Sequence, residues 1–367
     1  MFPSDLAEGV RILRLLLSEP QLDPKAFERL RDARLARVAA EDTRLRGVTS
    51  RLTRRLLWGD VPETRRPTQE SLSSITLADV RAHLQAVTGP ERIVLSVSGD
   101  LAADALVARL DDALGDWKRA DGTAYEPPHG KNDRTAAATG VHLRAMPVSQ
   151  GSVRIGQVTV PREHADAKAL NLLASILSRR IFNTVRSVHG LSYQAGARFS
   201  PSWRNDSPFT ITFQTKCASV PFAVHLALEE VQKLIEDGPT TEEVADAKRS
   251  LDSSFRRTFG RGFDAAEAFA ELEAHGVDLG YYEALRRGYA EVTVETLQNA
   301  AARYLQPEQL LVLCVGDVET MKRGDGTHPM QLSDLGPITV HAAPAADAPY
   351  SAETTSESHR KIPRKTC

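Results

Sequence analysis

Residues 306–317 read QPEQLLVLCVGD, and residues 89–100 read GPERIVLSVSGD. In each stretch a Pro-Glu pair leads into an apolar run of strand type, which ends in Gly-Asp. The two stretches lie 217 positions apart. The same offset relates Thr76 to Thr293, and each threonine opens a predicted helix. The sequence therefore contains one unit twice.

The shared register extends upstream and spans about 80 residues without a gap. Phe27 pairs with Val244 at the same offset, in two helices that begin after Asp23-Pro24 and Thr240. Both starts are favourable, because Pro suits the first helical turn and a T-x-x-E capping box begins at Thr240. The chain is predicted to hold two copies of one αβ unit.

The second copy contains all the elements of the unit. Strands are predicted at 142–147, 152–160, about 191–200, 208–216 and 309–315, with a helix from about 165 to 186. Subtracting 217 places the counterparts of residues 142–217 before Met1. The predicted fold class is α+β: two homologous αβ domains, each an antiparallel-rich mixed sheet with helices packed on one side. The first domain is expected to be incomplete at its N-terminus, so it should expose a sheet edge and need a partner to cover it.

Composition shifts predict four segments. A truncated N-terminal αβ domain covers residues 1–117, and a polar, turn-rich linker covers 118–140. A C-terminal αβ domain covers 141–320. Residues 321–367 are poor in large apolar side chains and are predicted to be a mostly disordered tail.

Composition also excludes several classes of protein. The net charge is −2, which gives no basic field for nucleic acid, and no apolar run approaches the ~20 residues of a membrane span. The three cysteines, Cys217, Cys314 and Cys367, form neither a disulfide framework nor a zinc set. No signal peptide is visible. The compartment is left open: cytoplasmic as written, or periplasmic if a signal peptide precedes this sequence.

The most specific motif is FNTVRSVHGLSY at 182–193. With the two αβ halves, the linker and the Gly-Asp strand ends, it resembles the insulinase/pitrilysin family of zinc metallopeptidases, which includes the mitochondrial processing peptidase. The resemblance covers about 10–117 and 141–317. It implies that Arg186 and Tyr193 bind the backbone of a peptide substrate and help stabilise an oxyanion. Read without the resemblance, Arg186 is a solvated helix charge and Tyr193 a half-buried strand aromatic.

The chain departs from the family at the zinc motif. In the family, H-x-x-E-H on the first helix of the first half holds zinc. No H-x-x-E-H occurs here; near Glu163-His164, Val160 stands where the first histidine should be. The counterpart of the motif-bearing helix lies before Met1.

The third zinc ligand of the family is also missing. The glutamate expected on a later helix falls on Arg37, which cannot ligate a metal. Glu41, one helical turn further, would serve only if the alignment shifts by four. No catalytic and no metal-binding residue is therefore assigned in this chain.

Three functions remain open. The first is a non-catalytic subunit that binds extended peptide and completes the active site of a zinc-bearing homologous partner, as a heterodimer or homodimer. The second is a fragment of a full-length zinc metalloendopeptidase, and the third is a purely structural assembly module. No cofactor is predicted in this chain; zinc is expected in the partner or in a full-length form. Whether the chain itself is an enzyme, and the identity of substrate and partner, stay open.

Overall fold

The computed structural model describes residues 6–41, 43–61, 64–100, 102–117 and 137–341. The helices are α1 (Leu6–Ser18), α2 (Pro24–Glu41), α3 (Leu45–Trp58), α4 (Gln69–Ser74), α5 (Leu77–Val87), α6 (Ala103–Leu114), α7 (Ala167–Ile181), α8 (Val220–Glu236), α9 (Thr241–Phe259), α10 (Gly262–Ala274), α11 (Tyr281–Glu291), α12 (Val294–Tyr304) and α13 (Val318–Arg323). The strands are β1 (Gly140–Ala145), β2 (Gln150–Val158), β3 (Ala195–Phe199), β4 (Pro208–Lys216), β5 (Leu311–Gly316) and β6 (Ile338–His341).

The chain forms two compact units. A helical unit comprises 1–41, 66–131 and 251–286, and a sheet unit comprises 42–65, 132–250 and 287–367. Packing, rather than the sequence repeat, defines them: the segment around α3 belongs to the sheet unit although it lies in the first half of the sequence. The domain boundaries inferred from the repeat stay a prediction. Most of the predicted linker, 118–136, lies outside the described residues.

The sheet unit contains one six-stranded mixed sheet in the order β3-β4-β2-β5-β1-β6. β1 runs parallel to β5 and β6, and the other neighbours are antiparallel. The five strands predicted in the second half all form, within a few residues of their predicted positions. The predicted mixed αβ class is confirmed.

Both faces of β5 are covered, which explains why its sequence is apolar throughout. Leu311, Leu313 and Val315 pack against Val48, Leu52 and Leu57 of α3. Val153 and Ile155 of β2 point to the other face, where α7 and α8 pack, and are completely buried. The helices of the second half thus cover one face, and α3 adds a cover on the opposite one.

The helical unit contains no strand among its described residues. The strand predicted at the end of the first copy, 92–99, was wrong: residues 93–98 belong to no helix and to no sheet of the described residues. A strand is defined by its ladder of hydrogen bonds, and no described residue offers a partner to this segment. The helix predicted from Thr76 does form, with the Thr76 hydroxyl accepting from the Asp79 N–H at 3.2 Å.

The C-terminal tail is more ordered than predicted. Residues 338–341 form β6, which pairs with β1 from Val141 to Arg144. The prediction of a mostly disordered tail from 321 was therefore wrong up to residue 341; the rest, 342–367, lies outside the described residues. The short apolar alternation of Ile338 and Val340 gives a weak sequence signal, and pairing with β1 decides the structure. Within the described ranges, no helix is both long and apolar enough to span a membrane.

One ion pair ties α7 to the start of α9. The Glu243 carboxylate accepts from Arg180 Nε and Nη2, both at 2.7 Å, and from the Thr240 N–H at 2.8 Å. Arg180 also donates to the Gly238 carbonyl at 3.1 Å. The hydrogen bond from Arg180 is the main reason why the pKa of Glu243 lies below its usual value. The capping box predicted at Thr240 is present, and it is joined to this pair.

We expect Glu243→Gln to lower the free energy of unfolding by about 2 kcal/mol, because Arg180 loses a charged, two-point acceptor in a largely buried place. The effect has a definite pH dependence. A carboxylate whose pKa is lowered by folding stabilises the fold above its unfolded pKa, and this contribution is lost as pH falls through the folded pKa. Urea unfolding at neutral and acidic pH measures both the loss in the free energy of unfolding and its dependence on pH. Glu242→Gln, at the neighbouring exposed position, is the control; equal losses in both variants would contradict the expectation.

Candidate functional site

The FNTVRSVHGLSY motif forms the corner between α7 and β3. α7 ends at Ile181 and continues as a π-helical turn, Phe182–Val188. Gly190 closes the turn with φ +62°, a conformation that suits glycine, and its N–H donates to the Arg186 carbonyl at 3.0 Å. The Leu191 N–H donates to the Val185 carbonyl at 2.9 Å. π-helical turns within helices are frequent at functional sites.

Arg186 lies on the exposed side of this turn, next to the fully buried Val185. Its guanidinium carbon stands 4.8 Å from the centre of the Phe182 ring, which is itself 39% exposed. Within the described ranges the Arg186 side chain has no carboxylate or carbonyl acceptor. Its five N–H donors are therefore available to a ligand.

Tyr193 lies in the loop just before β3 and is 88% exposed. The half-buried strand reading of this residue is thus wrong, because β3 begins only at Ala195. The preceding residue, Ser192, is buried and anchors the loop: its hydroxyl donates to the Gln194 carbonyl at 2.8 Å. The structure brings Arg186 and Tyr193 to the surface of one corner whose backbone is held on both sides.

An aromatic stack supports the corner from below, and sequence reasoning missed it. His189 meets the edge of the Phe222 ring, with centroids 5.1 Å apart, and Phe222 stacks on His328 at 3.6 Å. The Nδ1 atom of His328 lies 2.9 Å from Asp325, and hydrogen bonds from the His328 backbone and ring lower the pKa of Asp325 to about 2. The three rings are far apart in sequence, so no local pattern predicts this contact.

A polar cavity of about 450 Å³ lies on the other side of the π-helical turn. The two cations that line it, Arg180 and Lys233, are both paired with carboxylates. Arg180 binds Glu243, and Glu230 accepts from Thr184 at 3.1 Å and from Lys233 at 3.3 Å. This cavity therefore offers no unpaired cation comparable to Arg186, and the Thr184–Glu230 contact holds the turn in place.

The residues that correspond to the family's zinc ligands do not fit a metal. Arg37 is exposed on α2, Val38 beside it is buried, and Glu41 is the last residue of that helix. Among the described residues, no three His, Cys, Asp or Glu side chains are grouped to hold a metal ion. The guanidinium of Arg37 has no lone pair to offer. No catalytic step is assigned to these residues.

The sequence between 74 and 251 matches the family model described as the peptidase M16 inactive domain. The chain is a homologue of the M16 peptidases. M16 is the insulinase/pitrilysin family that the sequence resembles, so the predicted relationship is confirmed. The family model describes the matched part as an inactive domain.

Individual proteins and a solved structure are also similar to this chain. A "non-peptidase homolog YmxG" of Helicobacter pylori is 25% identical over 253 residues, which are 66% of this chain and 57% of that protein. The chain thus spans little more than half the length of that relative. An "uncharacterized zinc protease Mb2805c" of Mycobacterium bovis is 26% identical over 315 residues, which are 82% of this chain and 70% of that protein. The crystal structure of a peptidase M16 inactive domain from Pseudomonas fluorescens superposes with a TM-score of 0.72, at 22% identity, over 84% of this chain and 74% of that one.

Proposed function

We propose that this chain is a non-catalytic M16-type subunit that binds extended peptide and completes the active site of a zinc-bearing partner. The observation that supports it is the guanidinium of Arg186, which has no hydrogen-bond acceptor among the described residues and shares a corner with the 88% exposed Tyr193. The inactive-domain match and the H. pylori relative described as a non-peptidase homologue agree with a subunit that lacks its own zinc.

The chemistry of the two side chains suits a peptide backbone. The planar guanidinium presents parallel N–H donors that match a carbonyl or a C-terminal carboxylate. The phenol of Tyr193 adds one donor and an apolar ring that packs on an extended chain. In this proposal Arg186 and Tyr193 position the substrate, and they carry neither metal nor proton.

The second candidate is a fragment of a longer zinc metalloendopeptidase, as the relative described as a zinc protease suggests. Arg37 speaks against it, because the full protein would still have a cation where a zinc-ligating glutamate is needed. Loss of peptidase activity from a longer natural form after chelation would favour this candidate. A purely structural role predicts that neither Arg186 nor Tyr193 affects any binding.

We expect Arg186→Ala to weaken the binding of fluorescein-labelled β-casein, an unfolded protein probe, by about tenfold. The loss of one charge-assisted hydrogen bond, about 1.5 kcal/mol, corresponds to this factor. Tyr193→Phe, which removes only the hydroxyl, should cost less, about threefold. Fluorescence anisotropy titration measures both.

Arg204→Ala removes an exposed arginine of the same unit outside the corner and is the matched control. Unchanged binding by Arg186→Ala, or an equal loss with Arg204→Ala, would overturn the proposal. Once the partner is purified, Arg186→Ala and Tyr193→Phe should both lower the rate at which the partner cleaves labelled β-casein. An unchanged rate would refute the role in completing the partner's site.

A further inference from the structure

The strands of the sheet unit carry positive charge that no acidic residue within them offsets. They contain three arginines and one lysine, and no Asp or Glu stands in any of the six described strands. α3, which packs on one face of this sheet, adds four arginines and also contains no acidic residue. The whole chain has 46 basic and 48 acidic residues, so the excess is local to the sheet and α3.

The strand register places two of these arginines on one face. Arg154 of β2 lies opposite Leu313 of β5, which packs against α3. Arg198 of β3 lies opposite Thr210 of β4, and Thr210 lies opposite Gly156, two residues along β2 from Arg154. Side chains that are opposite each other, or two residues apart on a strand, point to the same face. Arg154 and Arg198 therefore share the face against which α3 packs.

Arg154 is a half-buried cation on this face, and no described residue accepts a hydrogen bond from its guanidinium. Burial and the nearby Arg46 of α3 both lower the pKa of Arg154. The side chains of Arg46 and Arg198 are exposed, and they too have no acceptor in the described part of the chain. A partly buried cation beside another cation costs stability, and a bound anion reduces this cost. The arrangement thus favours an anionic ligand.

The part of this face that lies on β4 is open and polar. The odd-numbered side chains of β4 are buried, whereas Thr210 and Thr212 are half-buried and Lys216 is exposed. With about 4.8 Å between strands and about 3.4 Å per residue, the Cα atoms of Arg154 and Arg198 are roughly 12 Å apart. That distance exceeds the size of a small anion and corresponds to about four residues of an extended chain. It suits a polypeptide that carries several carboxylates.

We propose that a basic face, formed by Arg46, Arg154, Arg198 and Lys216, binds an acidic, extended segment of a polypeptide. Two carboxylates of the segment, about four residues apart, accept hydrogen bonds from the guanidinium groups of Arg154 and Arg198. The exposed charges of Arg46 and Lys216 add attraction at longer range. This inference does not depend on the function proposed for the corner between α7 and β3.

The test compares two fluorescein-labelled peptides of about twelve residues by fluorescence anisotropy with the full chain. In one, glutamate alternates with serine, and in the other glutamine replaces every glutamate. We expect the glutamate peptide to bind about tenfold more tightly at low salt, with a smaller advantage at high salt, because free ions screen exposed charges. Arg198→Gln should weaken its binding about threefold. Arg204→Gln, at an exposed arginine outside the strands, is the control and should not.

Arg154→Met separates ligand binding from a structural role. Methionine keeps the apolar stem and removes the charge, so the variant should bind the glutamate peptide about tenfold more weakly. Without peptide, it should unfold at a higher urea concentration than the unchanged protein, because a half-buried charge without a counter-ion is gone. A lower midpoint would show that the charge of Arg154 serves the fold, and it would overturn the proposal.

Four further results would overturn it. In the first, the two peptides bind equally well, or Arg154→Met and Arg198→Gln leave the binding of the glutamate peptide unchanged. In the second, Arg204→Gln weakens binding as much as Arg198→Gln does. In the third, free glutamate displaces the peptide at an equal concentration of carboxylate, which would make a single small anion the ligand. In the fourth, single-stranded oligothymidylate of the same length binds more tightly than the glutamate peptide, which would make nucleic acid the ligand.

Discussion

Gly156→Ala is expected to destabilise the sheet unit by about 3 kcal/mol, because β4 leaves no room for a side chain at this position. Gly156 lies in β2 opposite Thr210 of β4 and Leu311 of β5. A Cβ atom built on it would lie 2.1 Å from the Phe209 carbonyl oxygen and 2.9 Å from the Thr210 Cα. Both are backbone atoms of a neighbouring strand, and they cannot move without breaking the ladder.

Urea unfolding followed by far-ultraviolet circular dichroism measures this loss as a lower transition midpoint. The matched control is Gly99→Ala, where a Cβ would meet nothing within 4 Å. That variant should unfold at the midpoint of the unchanged protein. If Gly156→Ala were as stable as Gly99→Ala, the close approach of β2 and β4 would not exist in solution.

Acidification is expected to remove about 3 kcal/mol of stability between pH 6.5 and pH 4 through one histidine pair. His142 Nδ1 and His341 Nε2 lie 2.8 Å apart, and His142 Nε2 lies 3.1 Å from the Thr139 carbonyl. Since a carbonyl only accepts, Nε2 of His142 donates, and in the neutral ring its Nδ1 accepts from His341. The bond between the rings requires at least one neutral ring, because two protonated rings offer only donors.

Folding disfavours the charged form of both rings. Burial, together with the nearby His142 and Arg144, lowers the pKa of His341 to about 4, and burial also lowers the pKa of His142. The unfolded chain therefore binds more protons than the folded one below about pH 6.5. Stability falls as pH decreases from there and stops falling, for this group, below about 4.

The loss of stability should concentrate at β6, which carries His341 and pairs, among the described strands, with β1 alone. Free energies of unfolding at pH 7 and pH 5 should differ by about 2 kcal/mol, and amide exchange of 338–341 should accelerate at the lower pH. His341→Gln, which cannot be protonated, should flatten this dependence. His275→Gln, at an exposed histidine, should leave it intact. A pH dependence that survives His341→Gln unchanged would contradict the assignment.

Local patterns predicted most of the sheet unit. The alternation in 152–160, the apolar run before Gly316 and the caps at Thr76 and Thr240 each act within a few residues, so each can be read from one segment. The change from a helix ending near 186 to a strand beginning near 191 was predicted for the same reason. That Tyr193 precedes β3 and is almost fully exposed was not, because strand ends depend on where pairing with β4 begins.

The features that were mispredicted depend on partners distant in sequence. Residues 92–99 have the composition of a strand, yet no described strand pairs with them, so composition alone misleads. Residues 338–341 have little strand character, yet the free edge of β1 makes them one. The stack of His189, Phe222 and His328 likewise joins three segments that only the folded chain brings together.

The sequence by itself determined the internal repeat, the relationship to the M16 peptidases, the Arg186 and Tyr193 motif and the absence of H-x-x-E-H from these 367 residues. These are properties of residue identity and spacing, which folding cannot change. Only the tertiary structure decided that α3 covers the sheet of the second half, that His142 and His341 form a buried pair, and that 94–98 pairs with no strand of the described residues. Burial and hydrogen-bond pairing are relations between segments, and a segment read alone does not contain its partner.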